Sequence, residues 1–246
     1  MERSIHLLHG SRLEALAAHM ADALAAAPLP GPLDVETIVV PHPGMGRWLQ
    51  QFLARHWGIA AGLSLDLPGK FIWDAARAVQ GDLPPQSGYE RDALEWRIHA
   101  ELTATGGALA RAPVLRRYLA DGDPLKAFEL AQRVADAFDQ YMVYRPAWLE
   151  RWERGAAAFA HPHEPWQRDA WRAVRAAVGE PHRAAVLHEV IAKLEAGTGD
   201  AGLAAALPQR VTVFGVSAMP PMHVAFFGAL ARHVEVRWYQ LNPRAE

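Results

Sequence analysis

Cysteine is absent from the 246 residues. Disulfides, thiolate nucleophiles and Cys-based metal sites are therefore excluded. Lysine is nearly absent, with only Lys70, Lys126 and Lys193 present. A phosphate-binding loop needs a lysine directly after its glycines, and none of the three follows a glycine loop of the right length. The "PGK" at 68–70 is too short to cradle a triphosphate. Excess positive charge is missing too, since the formal net charge is −2 and the pI is near 6.6. A protein that holds nucleic acid by itself is usually more basic, because phosphates must be neutralised. Contact with nucleic acid would have to run through a local patch or beside a basic partner. Long apolar runs are lacking as well. The N-terminal "MERSIHLLHGSRLEA" is too short in its apolar part for a signal peptide, and no window approaches a membrane span. The expectation is a soluble, cytoplasmic chain. No internal repeat is visible.

Hydrophobic residues, at 51%, are plentiful enough for an ample core. Over the first part of the chain, strand and helix signals alternate. "SIHLLHG" reads as a short buried strand, and Ser11 is placed to cap a helix whose apolar residues are Leu13, Leu16, Ala17, Met20 and Leu24. "VETIVVP" reads as a second strand and "MGRWLQQFLARHWG" as a helix stopped by Gly58. "GLSLDLP" reads as a third strand and "GKFIWDAARAVQG" as a third helix. From about Ser87 to Gly197 strand signals vanish, and six amphipathic helical segments follow, each punctuated by Pro or Gly. After the linker "GTGDAGLAAALP", "RVTVFGV" and "VEVRWYQL" read as strands around the helix "PPMHVAFFGALARH". This order predicts an α/β fold, a parallel sheet interrupted by a large all-helical insertion.

The stretch "VVPHPGMGRWL" has the strand–turn–helix context of a nucleotide loop, yet Arg47 and Trp48 stand where Lys and Ser or Thr would be. The earlier turn "LLHGSRLEAL" has one glycine and no lysine. The end of a buried strand, where a carboxylate would hold magnesium, carries Gly215, Val216 and Ser217. Both halves of a nucleotide site are missing from a chain that keeps the frame around them. In "AHPHEPW", His161, His163 and Glu164 are flanked by prolines and form no helical metal pair, so a polar loop is the plainer reading. "DGDP" at 121–124 lacks the rest of a calcium loop. Asp136 and Asp139, three residues apart on one helix, can cooperate on a metal or a proton. A solvated face, or a pairing with nearby arginines, is the commoner use of such a pair. Nine tryptophans are many for this length. Those beside arginine, in "GRW", "YRPAW" and "ERWER", can serve as core or stack on bases.

Three stretches carry a family resemblance: "VVPHPGMGRWLQQFLARHWGIAAGLSLDLPGKFIWD", "FDQYMVYRPAWL" and "VFGVSAMPPMHVAFFGALARHVEV". Together they resemble the N-terminal part of the RecC family, the gamma subunit of exodeoxyribonuclease V (RecBCD), over essentially the whole chain. Family members are several times longer. The resemblance implies a RecA-like, superfamily-1 helicase-like domain with its ATPase residues lost, over 1–85 and 205–246, and a helical insertion subdomain over 86–204. It implies a non-catalytic subunit with no cofactor of its own, RecB-like and RecD-like partners, and contact with single-stranded and duplex DNA. The family's task is to line the channel of the 3′-ended strand and scan it for Chi. Matching positions imply DNA-binding roles for Leu67, Trp73, Asp136, Asp139, Gln140, Arg145 and Arg183. At the turn, Pro41, Pro43 and Arg47 replace the amide and hydroxyl side chains expected of enterobacterial members, which implies a different or less strictly read Chi. Two other readings stay open at this point: a nucleotide-dependent motor or nuclease site in the chain itself, and a protein-binding helical scaffold.

Overall fold

A computed structural model describes residues 5–197 and 200–242. Ser4, the first residue of the predicted first strand, lies outside the described residues, as do Thr198 and Gly199 of the linker and the last four positions. The chain forms two compact units, one of residues Met1–Leu83 with Leu187–Glu246 and the other of Pro84–Val186.

The first unit is built on β1 (Ile5–Gly10), α1 (Leu13–Ala26), β2 (Glu36–Val39), α2 (Pro43–Trp57), β3 (Leu63–Asp66) and α3 (Pro68–Gln80). Its five-stranded sheet has the order β1-β5-β4-β2-β3, and every pairing is parallel. Strands β4 (Arg210–Phe214) and β5 (Glu235–Leu241) come from the far end of the chain, joined by α11 (Pro221–Leu230). The central β4 reads RVTVF and is buried at every residue, as expected of a parallel strand covered on both faces. The path β1 to β2 to β3 steps toward one edge, and β3 to β4 to β5 steps back. Right-handed crossovers therefore put α1 and α2 on one face and α3 and α11 on the other. On the first face Leu16, Met20, Leu24, Leu49 and Leu53 pack over Ile38, Val40, Phe214 and Tyr239. On the second, Phe71 of α3 stacks on Phe227 at 5.7 Å between ring centres, and Phe227 meets Trp238 at 5.6 Å. The expected α/β parallel sheet, of RecA-like kind with helical insertions, is the fold observed.

Three local readings need correction. Ser11 does not cap α1; the cap position is Arg12, with no side-chain hydrogen bond. Helix α2 starts at Pro43, two residues before the predicted start, because His42 Nδ1 accepts from Met45 N at 3.1 Å and proline suits the first helical position. The linker before β4 holds a short helix, α10 (Ala201–Ala205), capped by Asp200, whose Oδ1 accepts from Gly202 N at 2.8 Å and Leu203 N at 3.2 Å.

The second unit contains α4 (Arg91–Thr103), α5 (Pro113–Tyr118), α6 (Pro124–Tyr144), α7 (Pro146–Glu153), α8 (Glu164–Val178) and the first turn of α9 (Arg183–Ala196). The "DGDP" stretch is a helix start, with Asp123 accepting from Leu125 N at 2.9 Å. The core is aromatic: Phe138 meets Trp171 edge-on at 5.4 Å and Trp152 at 6.4 Å. Glu164, read from sequence as part of a polar loop, is buried. Its Oε1 accepts from Trp152 Nε1 at 2.6 Å and Ala158 N at 3.2 Å, and Arg168 stands 3.6 Å from its other oxygen. Glu164→Ala strands the indole N–H of a fully buried tryptophan. We expect a loss of about 2–3 kcal/mol, since a stranded buried donor carries its whole desolvation cost. Denaturant melts followed by tryptophan fluorescence measure it, and a loss below ~0.5 kcal/mol would mean that the bond contributes little.

Candidate nucleic-acid interface

All five strands point the same way, so their carboxyl ends share one edge, the usual place for a ligand on an open parallel sheet. At that edge β1 ends at Gly10 and α1 begins at Leu13, leaving only Ser11 and Arg12 between them. A triphosphate loop takes a run of about eight residues. The end of β4 turns at Gly215, with φ 69°, and a Cβ there would lie 3.6 Å from Met45 Cε and 4.0 Å from Leu13 Cδ1. An apolar side chain from α1 and one from α2 thus stand beside the turn that ends β4.

In the turn after β2, Pro41 is half-buried, Pro43 is the first residue of α2 and Arg47 is exposed on its second turn. Among the described residues Arg47 has no carboxylate partner. The two glycines have local reasons. A Cβ on Gly44 would come within 3.0 Å of the His42 ring that caps the helix, and Gly46 is buried against Val40 and Leu65. They serve capping and packing, so the arginine is the group this turn presents outward. Leu67 caps α3 and is exposed, and Trp73 is half-buried one turn and a half further on. Between them Lys70 Nζ donates to Asp66 at 2.7 Å and Asp74 at 2.8 Å. These hydrogen bonds, Asp66 first, raise the lysine above its usual range and hold it charged.

The second unit brings the remaining residues together around α6. Asp136 accepts from Arg91 Nε at 2.7 Å, and Arg91 also meets Glu95 at 3.2 Å. Asp139 is bonded to Arg183, which stands 3.8 Å from Glu90. Each aspartate is thus the partner of one arginine, and they do not converge on a shared point. Among the described residues no group of His, Cys, Asp or Glu could hold a metal ion. Gln140 is exposed. Arg145 closes α6, donates to Tyr144 O at 3.0 Å and lies over the Trp148 ring at 5.6 Å, where the ring face attracts the cation. Trp148 is in turn packed on Phe159 at 4.3 Å. Arg145 is exposed, and a stacked arginine keeps its donors free for a ligand.

Two groups escaped sequence reasoning. Arg91 is legible as an i,i+4 partner of Glu95, but its second partner comes from the packing of α4 on α6. His182 directly precedes Arg183 and is buried, with its Nδ1 accepting from Ala185 N at 3.2 Å. It caps the first turn of α9 and so fixes where Arg183 starts. The only sequence signal was the proline before it.

Comparison with known proteins adds a family. The sequence matches the RecC N-terminal domain family over residues 5–246. It is 35% identical to the RecBCD enzyme subunit RecC of Escherichia coli (strain K12), over 97% of this chain and 22% of the relative. It is 28% identical to the protein of that name from Haemophilus influenzae, over 97% of this chain and 23% of the relative. It is 27% identical to the Mycolicibacterium smegmatis protein of that name, over 98% of this chain and 21% of the relative. The chain thus spans between a fifth and a quarter of the length of these relatives.

Proposed function

Since the chain belongs to the RecC N-terminal domain family, we propose that it is the DNA-handling N-terminal part of a RecBCD-type helicase–nuclease, exodeoxyribonuclease V, acting in double-strand break repair. Its sheet unit is a helicase-like domain without a working ATP site, and its helical unit is the insertion of that domain. The complex works in the cytoplasm with RecB-like and RecD-like subunits, which supply the chemistry. This part lines the path of the 3′-ended single strand beyond a duplex entry and reads it for Chi. Trp73 stacks on a base. Arg145, Arg183 and Arg47 meet base edges or phosphates, and Leu67, Gln140, Pro41 and Pro43 shape the path. Asp136 and Asp139 orient their arginines or accept from exocyclic amines.

One observation supports the reading: where a motor would carry a phosphate loop of about eight residues, only Ser11 and Arg12 connect β1 to α1, and Leu13 and Met45 stand beside Gly215 at the end of β4. A phosphate placed against Gly215 would meet the partly buried, apolar Leu13 and Met45 in place of the lysine and hydroxyl of a phosphate loop. Titrating ATP into the chain by calorimetry should give no heat of binding. A micromolar dissociation constant would replace this proposal with an active motor.

The reading role is tested by Arg145→Ala in the assembled full-length complex. Each good base contact contributes roughly 1–3 kcal/mol of discrimination, so the response to the organism's own Chi should fall about tenfold or more while unwinding away from Chi is kept. An undiminished response would leave the helical unit as a scaffold only. Because prolines and an arginine occupy the turn, the Chi read by this complex differs from the enterobacterial one or is read less strictly.

A further inference from the structure

The helical unit holds a cavity of about 670 Å³ between α5 and the start of α8. Small-molecule sites run from roughly 300 to 1,000 Å³. Val114 and Trp166 supply apolar wall, and Arg111, His163, Asp169 and Arg172 supply polar groups. Asp169 stands 3.7 Å from Arg168. Arg111 and Arg172 are exposed and have no carboxylate partner among the described residues. Arg116 and Arg117 follow one turn along α5 and are exposed as well. Thr103 to Ala120 contains these arginines at 111, 116 and 117 and no acidic residue. A chain of net charge −2 thus concentrates positive charge at this cavity, the local patch that contact with nucleic acid needs. The indole N–H of Trp166 is buried without a partner, so the tryptophan offers the cavity ring surface and no donor.

A row of rings joins the cavity to Arg145. The arginine lies over Trp148, and Trp148 packs on Phe159 at 4.3 Å. Phe159 meets His161 at 6.5 Å, His161 meets His163 at 5.2 Å, and His163 meets Trp166 at 6.4 Å. The two histidines are exposed and the other three rings half-buried.

We propose that this cavity takes one nucleotide of the single strand, its base against Trp166 and its phosphate on Arg111 and Arg172. The ring row is the track that leads the strand there from Arg145. This inference rests on the strand-reading role proposed above and extends the path to the α5–α8 side. Two observations select the occupant. Unpaired arginines beside an apolar cavity with an aromatic wall suit a ligand that joins a flat ring to an anion, and every nucleotide does so. The row is also continuous with Arg145, so the nucleotides in between find stacking surface along it.

The test uses the full-length protein in its assembled complex and a mixed-sequence oligonucleotide carrying single 5-iodo-deoxyuridines. Irradiation should crosslink a base to Trp166, located by mass spectrometry. Arg111→Ala combined with Arg172→Ala should abolish that crosslink. It should also reduce the slope of log affinity against log salt by about 1.4, the share of two phosphate contacts on a single strand. Both arginines are exposed, so the fold is kept. Trp166→Phe should retain most of the binding, because the ring and not the indole N–H meets the base. Arg145→Ala is measured alongside. If Arg145→Ala weakens binding while the double variant changes neither affinity nor slope, the cavity assignment is wrong and the strand-reading role stands. If neither matters, both fall. If deoxyadenosine monophosphate at equal concentration displaces the oligonucleotide from Trp166, the site serves released nucleotides and the strand assignment is overturned. Release of a partner subunit from the double variant on gel filtration would make the cavity a protein contact and overturn it equally.

Discussion

Arg210→Ala should lower the stability of the sheet unit by about 3–5 kcal/mol, the cost of removing one partner from a buried ion pair. Arg210 opens the central strand and is only 6% exposed. Its Nε donates to Glu36 Oε2 at 2.8 Å, its Nη2 bonds the other oxygen of the same carboxylate, and its Nη1 donates to Ala27 O at 2.6 Å. One guanidinium therefore ties the starts of β4 and β2 to the end of α1. The alanine variant leaves the Glu36 carboxylate largely out of water without its cation. Denaturant melts of Arg210→Ala, Glu36→Gln and the double variant apportion the loss. The double variant should be much less damaged than the sum of the singles, because the stranded charge is gone. If the singles simply add, the pair is not coupled and the loss arises from packing alone.

The same pair explains part of what the sequence could and could not reveal. "RVTVF" was legible as a buried strand from its short β-branched run, whereas nothing in it announces that Arg210 is buried. That depends on Glu36, 174 positions earlier, facing it across the β2–β4 pairing. Strand and helix identities came through because they are local: apolar spacing set α1, α2, α3 and α6, and glycine ended α2 at Gly58 with φ 84°. Helix starts were less legible. His42 is a rare cap, and it moved the start of α2 back to Pro43. Sheet order was invisible, since β1 and β5 pair across nearly the whole chain. For the candidate site, Asp136 and Asp139 stood out by their spacing and Arg145 by its neighbouring tryptophan, whereas Gln140 and Arg183 were legible only through family resemblance. Composition alone, with a net charge of −2, argued against DNA. Pairing Asp136 with Arg91 and Asp139 with Arg183 resolves part of that tension, because the carboxylates are matched locally.

Acidification should weaken the helical unit by about 3 kcal/mol, all of it between pH 6.5 and about 4. The source is His182, 2% exposed, packed against Tyr89 and Trp171. Burial first, and then the positive Arg175, pull its imidazole down from 6.5 to about 4. In the unfolded chain the ring takes a proton near its ordinary value; in the folded chain it refuses one until about pH 4. Its contribution is thus complete above pH 6.5, is lost progressively as the pH falls, and levels off below about 4. Glu153, 3.4 Å from Nε2, would favour the protonated ring, but that carboxylate already accepts from Trp171 Nε1 at 3.2 Å and lies 3.5 Å from Arg175. Its charge is therefore largely taken up. Melts of the parent and of His182→Asn at pH 7, 5.5 and 4.5 provide the check, asparagine being able to keep the cap on Ala185 N. The variant should start less stable at pH 7 and lose little more on acidification. Equal losses in both proteins would assign the acid sensitivity elsewhere. Protonation at Nδ1 removes the acceptor of Ala185 N in the first turn of α9, whose first residue Arg183 is bonded to Asp139, so fraying should start at that turn before the helical unit as a whole unfolds.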